Sequence, residues 1–329
     1  MPPSPRLRSP TAPTATEALS NRKVGAIRPR SCTILGAARN AAAGGLPQRS
    51  AFDTVSAAAV GAVGLRNRGE GGISISGVST PMKRAFAYWA VITNGPPTVA
   101  AANISIKRGV ANGPFTNIAG TPIGSGPSPC WRGDRVTVFR GAIPLSLASD
   151  NGLYLVLLRP GANGSRAGES PWDASDPPLF EGVSIVLVGS GNSTVTIYDR
   201  GLAGEMFFGD LVYKLNSPVS VAGAREVILH NIGADGQTGV GVKDVAATAG
   251  EITTLNGRRI AGPGSPAGSG DWNGNVAAPL PQLWDTTTHE VTAAAKAGST
   301  PTILPFTIRA PDDCLVSVAN VLSVRLEGR

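Results

Sequence analysis

Residues 84–93, RAFAYWAVIT, form an almost unbroken apolar and aromatic run that closes at residues 94–97, Asn-Gly-Pro-Pro. A short run of this kind, followed by turn-forming pairs, is typical of a β-strand in the centre of a core. On its N-terminal side, residues 73–78 (ISISGV) alternate apolar and polar side chains, which is the period of a half-buried strand. Residues 99–108 alternate in the same way. These segments predict a β-sheet with a buried central strand.

Short strand patterns separated by Gly, Pro, Asn and Asp turns continue to the end of the chain. Residues 183–188 (VSIVLV) and 194–198 (TVTIY), joined by the turn sequence 189–192, predict a β-hairpin. We therefore predict an all-β fold, a β-sandwich or jelly roll, over residues 71–329, built as one sandwich or as two stacked sub-sandwiches. The other predicted strands are residues 135–139, 153–158, 227–232, 303–308 and 314–324.

The N-terminal part of the chain differs from the rest in charge and in pattern. Residues 1–50 carry eight basic side chains and one acid, which accounts for the whole formal net charge of +7. Residues 1–70 show no sustained apolar period, so we predict a disordered basic arm or leader there. The rest of the chain has 21 basic and 21 acidic residues. Because it has no basic run interleaved with aromatic residues, we expect no nucleic-acid-binding face on the folded body.

The sequence contains no clear targeting segment. No stretch approaches the roughly 18 apolar residues of a membrane-spanning helix, so we expect no membrane span. A secretory signal has an apolar segment of roughly 7–15 residues. The nearest candidate, residues 32–38, is cut short by Arg39. The Arg-, Ser- and Pro-rich arm is also similar in composition to an organellar transit peptide, and we favour a solvated leader.

Cysteine and histidine are scarce. The three cysteines are Cys32, Cys130 and Cys314, and the two histidines are His230 and His289. Because no Cys-x-x-Cys pair exists, a zinc site of the usual spacing is excluded. Cys130 and Cys314 fit two buried thiols as well as they fit one disulfide, and at this level both interpretations stay open.

Patterns of catalytic residues are weak. Nucleophilic catalysis needs a serine or cysteine beside a histidine, and no Gly-x-Ser-x-Gly elbow supports His230 or His289 in that role. A hydrolase that uses two loop carboxylates is an alternative. Turn formation is the competing explanation for its candidate residues. They are Asp173, Asp176, Glu181, Asp199, Glu205, Asp210, Asp285 and Glu290.

Oxygen-rich loops make calcium the inorganic ligand that the sequence fits best. Calcium binds carboxylate and carbonyl oxygens. None of these loops has the spacing of a calcium loop, and Asp-Gly and Asn-Gly also form ordinary turns. We therefore expect either no cofactor or calcium. The candidate ligands are Asp235, Asp271, Asp312 and Asp313.

Four tryptophans lie in or near polar loops, whereas Trp89 belongs to the predicted central strand. A tryptophan ring beside Asp and Asn can stack on a sugar ring. It can equally close the end of a sandwich, because it buries a large apolar area. Glycan contact is therefore a hypothesis for Trp131, Trp172, Trp272 and Trp284.

Several segments occur in a characteristic order: Tyr88-Trp89, residues 135–138 (RVTV), residues 197–201 (IYDRG), residues 283–292 (LWDTTTHEVT), and residues 312–316 (DDCLV) leading into 319–324 (ANVLSV). In this order they resemble a family of uncharacterised, exported β-rich proteins of bacteria and archaea, many of them parts of multi-domain surface proteins. The resemblance covers residues 72–326. It implies a β-sandwich and export, assigns no catalytic residue, and favours a disulfide between Cys130 and Cys314.

We therefore predict a non-enzymatic β-sandwich protein of the cell exterior, secreted or surface-associated. Its role would be structural, adhesive or glycan-contacting, with surface glycans or other surface proteins as partners. Two alternatives remain open. One is a capsid-like jelly roll whose basic arm neutralises nucleic acid. The other is the loop-carboxylate hydrolase. The sequence does not determine the oligomeric state.

Overall fold

The computed structural model describes most of the chain from residue 48 onwards. The backbone alone is described for residues 48–52 and 312–313. The described ranges are residues 48–109, 113–128, 134–164, 176–200, 203–204, 206–236, 251–262, 271–272 and 283–328.

These residues form β-strands and one short helix, which confirms the predicted all-β fold. The helix, α1, spans Thr292–Lys296. In the described part of the chain, no helix has the length and apolar character that a membrane span needs. The strands are β1 Gln48–Gly64, β2 Glu70–Ile75, β3 Ser79–Thr93, β4 Asn103–Arg108, β5 Thr116–Ala119, β6 Thr121–Pro127, β7 Arg135–Ala142, β8 Gly152–Leu158, β9 Leu179–Ser190, β10 Ser193–Arg200, β11 Met206–Asn216, β12 Ala224–Ala234, β13 Ile252–Leu255, β14 Arg258–Ala261, β15 Trp284–Glu290 and β16 Ile303–Leu326.

The predicted central strand, residues 84–93, is the second part of β3. It pairs antiparallel with β9 on one side and with β7 on the other. Every side chain from Ala87 to Ile92 has zero exposure. Such a strand needs apolar residues on both faces, which explains why RAFAYWAVIT does not alternate.

The first core lies between two sheets. One sheet has the strand order β2-β8-β4-β5, and the other contains β1, β9, β3 and β7. Alternate residues of β8, such as Tyr154 and Val156, point into this core. Trp89 of β3 stacks on Phe139 of β7, with ring centroids 5.6 Å apart. Period-two strands therefore supply one wall of the sandwich, and a fully buried strand supplies the other.

The second core is organised by β16. The first part of β16 pairs with β11 and β13, and its last part pairs with β10 and β12. Side chains from both parts, such as Phe306 and Leu322, enter one core that also contains Leu229 and Leu255. A long strand thus contributes to both walls of this sandwich.

A third apolar cluster joins the opposite faces of the same strands. It contains Tyr88 of β3, Val186 of β9, Val195 of β10, Trp284 of β15 and Val318 of β16. Because β9 contributes to this cluster and to the first core, it is buried along almost its whole length.

The predicted disordered arm extended to residue 70, and this prediction is wrong for residues 53–70. β1 pairs with β9 over residues 56–64 and with β10 over residues 48–56. The sequence of β1 is rich in Ala and Gly, which suits a strand packed closely against its neighbours. Because these side chains are small, the apolar period of β1 is weak. Residues 1–47 lie outside the described residues.

The predicted hairpin of residues 183–198 is also wrong in its pairing. β9 and β10 both pair antiparallel with β1, so they run in the same direction and cannot form a hairpin with each other. The change of partner occurs where β1 is irregular, next to Val55, whose φ of 52° is unusual for a β-branched residue. The short turn sequence predicted that β9 and β10 pair with each other, but both pair with β1, which is distant in sequence.

Candidate functional site

A buried charge cluster, consisting of Arg66, Glu181 and Asp235, lies where β1 and β12 end and β9 begins. Ala90 is opposite Gly182 and Val91 is opposite Phe180, so Glu181 is the extra residue of a β-bulge. Bulges of this kind redirect a side chain out of the regular alternation. Arg66 Nη1 donates to Glu181 Oε1, and both side chains are fully buried.

Backbone contacts fix the position of this cluster. The Leu65 N–H donates to the Glu181 carbonyl oxygen over 2.9 Å. Asn163 donates through Nδ2 to the carbonyl oxygens of Leu65 and Arg66, over 3.1 and 2.9 Å. Burial raises the pKa of Glu181 to about 8; Arg66 opposes this rise and Asp235 adds to it. Glu181 therefore tends to carry a proton at neutral pH, unlike an exposed glutamate.

A second buried network joins β3, β7 and β10. The Tyr88 hydroxyl donates to Asp199 Oδ2 over 2.8 Å, and Arg140 Nη1 donates to the same oxygen over 2.9 Å. Burial, together with the nearby Asp199 carboxylate, raises the pKa of Tyr88. The arrangement neutralises a buried carboxylate with one cation and one hydroxyl, which is the usual requirement for such a group.

A third network contains both histidines. His289 Nε2 lies 2.6 Å from Asp271 Oδ1, and Asn231 Nδ2 donates to Asp271 Oδ2 over 3.1 Å. His230 Nδ1 lies 2.8 Å from the Thr288 hydroxyl. Burial lowers the pKa of His230 to about 4, and the nearby His289 adds to this effect. A neutral, buried histidine is a structural group rather than an exposed base.

Two of the four tryptophans proposed for glycan contact are buried, so this prediction is wrong for Trp272 and Trp284. Trp272 is 2% exposed and covers Gly233, and Trp284 has zero exposure. Trp284 Nε1 donates to the Ser184 hydroxyl over 2.9 Å. Both rings fill the space above a glycine of a neighbouring strand. Trp131 and Trp172 lie outside the described residues.

The structure does not assemble the predicted calcium ligands. Asp271 is engaged by His289 and Asn231, and Asp235 is 1% exposed. Among the described residues, no group of three or more His, Cys, Asp or Glu side chains is placed to hold a metal ion. The side chains of Asp312 and Asp313 lie outside the described part. Calcium binding stays a prediction.

Cys314 is buried on β16, opposite Phe208 of β11, and is 4% exposed. Cys130, its predicted partner, lies outside the described residues, as does Cys32. The disulfide between Cys130 and Cys314 therefore stays a prediction.

The candidate carboxylates of the hydrolase alternative do not line an open site. Glu181, Asp199 and Asp285 are each at most 2% exposed. A shallow cleft beside the end of β8 is lined by Arg68, Arg159 and neighbouring apolar and amide groups, without a carboxylate. The exposed candidates are Asp176, Asp210 and Glu290, and Asp173 and Glu205 lie outside the described residues.

Sequence patterns do not identify Arg66, Tyr88 or Arg140 as members of buried networks. Arg66 lies among the scattered arginines that indicated a disordered leader, and Tyr88 lies in an apolar run. Their partners are about 60 to 115 residues away in the chain. Only the pairing of distant strands brings them together.

The chain matches no protein-family model, and it matches no curated protein. Three chains of solved structures match it. One is a recombinant N-glycanase F (PNGase F), with a TM-score of 0.24 and 10% sequence identity, covering 83% of this chain and 96% of that one. A TM-score of this size establishes no common fold. The resemblance to exported β-rich proteins stays a prediction.

Proposed function

We propose that the protein is a non-enzymatic structural component of the cell exterior and that its β-body contacts surface glycans. The use of buried ionisable groups as internal links carries the non-enzymatic part of this proposal. Glu181, Asp199 and Asp271 each bind a partner from another segment of the chain and are at most 2% exposed. A catalytic acid or base has to reach its substrate, whereas these groups join strands.

The proposed location rests on the cysteines. Disulfides persist outside the cytoplasm, and a bridge between Cys130 and Cys314 would close a long loop of the body. Such a bridge contributes about 2–5 kcal/mol to stability in chain-entropy models. The buried position of Cys314 in β16 supports a structural role for this thiol.

Cell fractionation of the source organism tests the location, and mass spectrometry without reduction tests the bridge. We expect the protein in the exterior fraction, with the peptides of Cys130 and Cys314 linked and Cys32 either unlinked or removed. A protein that stays in the cytoplasmic fraction, with Cys130 and Cys314 both open to alkylation, would contradict the proposal. N-Ethylmaleimide in the lysis buffer blocks free thiols at once, so that any linkage found was present before lysis.

A further inference from the structure

Folding leaves more basic than acidic side chains on the described surface of a body whose composition is balanced. Of the fifteen acidic side chains that the structure describes, six are buried, whereas Arg66 is the one buried side chain among the seventeen basic ones described. Nine acidic and sixteen basic side chains therefore remain on the described surface. The buried acids are Glu181, Asp199, Asp235, Glu251, Asp271 and Asp285.

Several of the exposed basic side chains lie on one face of a sheet, which we name the cationic face. It is the outer face of the sheet formed by β14, β13, the first part of β16, and β11. Successive strand residues point to opposite sides. Leu255, Phe306 and Ile308 enter the second core, so their neighbours in these strands point outwards. Arg259, Arg309 and Lys214 are exposed there, Arg309 by 60%.

Hydroxyl groups separate the cations on this face. Arg259 is opposite Thr254, and Thr254 is in turn opposite Thr307. Arg309 lies two residues further along β16. Asp210 is the acidic side chain that the described residues place on this face, with 3.7 Å between Arg309 Nε and Asp210 Oδ1. Among the described residues, the three cations of this face therefore outnumber its one acid.

Two further cations lie at the rim of the cationic face. Arg258 follows the turn between β13 and β14, and Lys296 ends α1. Asn256 of this turn donates through Nδ2 to the carbonyl oxygens of Ala294 and Ala295, which holds α1 beside the turn. Both rim side chains are exposed.

We propose that the cationic face binds an anionic polysaccharide, an inference that rests on the proposed glycan contact and names its chemical class. Arg259 and Arg309 lie two strands apart and are offset by two residues along the strands, so at the usual strand spacing and rise their backbones are roughly 12 Å from each other. Threonine hydroxyls fill the interval and can exchange hydrogen bonds with sugar hydroxyls. Phe208, 41% exposed on β11, offers an apolar surface to a sugar ring.

The spacing of these cations argues against nucleic acid as the ligand. One nucleic-acid strand in a duplex carries a charge about every 3.4 Å along the helix axis. Proteins that bind single strands add aromatic platforms on which successive bases stack. The cationic face has wide gaps between its charges, and Phe208 is the aromatic side chain that its described residues expose. Sparse charges separated by hydroxyl groups fit an anionic polysaccharide, in which sugar hydroxyl groups lie between the charged groups.

Binding of the full-length chain to immobilised alginate (carboxylate), dextran sulfate and neutral dextran tests this proposal. We expect binding to at least one charged polymer, at least tenfold tighter than to dextran and weakened by added salt. R259Q/R309Q should weaken it about tenfold or more. T254V/T307V, which removes the hydroxyls but keeps the β-branched shape, should weaken it about threefold. R135Q/R159Q is the matched control, because both arginines are exposed on the first sandwich.

Four outcomes would overturn the inference: no preference for either charged polymer over dextran, an equal loss in the R135Q/R159Q control, no loss in R259Q/R309Q, or tighter binding of oligothymidylate than of both polymers. A comparison of unfolding temperatures shows whether each variant remains folded. These results are independent of cell location: an exterior protein that ignores all three polymers contradicts this inference alone. A cytoplasmic protein contradicts the proposed function whatever it binds.

Discussion

At the scale of single residues, the fold buries ionisable groups that would be more stable as ions in water. Glu181 and Arg66 are fully buried, and His230 is 5% exposed. Burial costs the charged form much of its hydration, so Glu181 and His230 both shift towards their neutral forms. These shifts link the stability of the fold to pH, and the two residues do so in opposite directions.

Glu181 should destabilise the fold increasingly as pH rises. Its pKa is about 8 in the folded protein and 4.5 ordinarily. Between these values the folded protein holds the proton more often than the unfolded chain does, so the contribution present below pH 4.5 is lost as pH rises through 8. This fall in the free energy of unfolding should amount to a few kcal/mol at most, and Glu181→Gln should remove it. Urea unfolding at pH 5 and pH 9 measures the fall, and Glu70→Gln, at an exposed glutamate, is the control. An equal fall between the two pH values in both variants would refute the prediction.

His230 should make the fold sensitive to acid. Its pKa is lowered from 6.5 to about 4, so the unfolded chain binds a proton that the folded protein resists. The stabilising contribution is complete above pH 6.5 and is lost as pH falls through 4. In His230→Asn the decline of unfolding free energy between these values should be shallower, as measured by urea titration at pH 4, 5 and 7. An unchanged decline would assign acid sensitivity to other groups.

At the scale of elements, strand identity follows from local pattern, but pairing does not. The aromatic run of residues 84–93 and the alternation in β8 predict their strands correctly. The partners of β9 and β10 could not be predicted, because β1 has small side chains with a faint period and comes from a segment rich in scattered arginines. Likewise, no local pattern shows that Trp284 packs on Gly182, about a hundred residues away, and the glycan hypothesis for Trp284 failed for that reason.

The contact between Trp284 and Gly182 should tolerate no added side chain. A Cβ atom on Gly182 would lie 2.5 Å from Trp284 Cγ and 2.7 Å from the Val63 carbonyl oxygen. Both neighbours are held in strands, so relief requires backbone movement. We expect Gly182→Ala to lower the free energy of unfolding by about 1–3 kcal/mol, the usual cost of overpacking. Gly69→Ala, with open space around the added atom, is the control in denaturant unfolding. Equal stability of the two variants would show that the strands adjust freely.

At the scale of the whole molecule, composition is a poor guide to surface charge. The chain after residue 50 has equal numbers of acidic and basic residues, and we expected a neutral body from that count. The count cannot show which charges the fold encloses. Six acids lie inside, and the described surface is left with an excess of basic side chains. The residues of the cationic face are likewise far apart in sequence, so no local pattern could predict that they share one face.

Limited trypsin digestion tests where the folded body begins. We expect cleavage within the predicted arm, at sites such as Arg22, Arg30 and Arg39, because arginines in a disordered segment are accessible. Arg66 is fully buried and should resist cleavage. Mass spectrometry of the stable fragment should therefore show an N-terminus before Arg66. Rapid cleavage at Arg66, or an arm that resists trypsin, would contradict this boundary.

The position of β16 in the sequence also determines when four other strands can complete their pairing during synthesis. This strand pairs with β10, β11, β12 and β13, so these four earlier strands lack their common neighbour until residues 303–326 have been synthesised. A nascent chain stalled before residue 303 exposes unpaired edges that other chains can join. Pairing of these four strands consequently waits until β16 has left the ribosome, and chains truncated before residue 303 should aggregate far more readily than chains that lack residues 1–47.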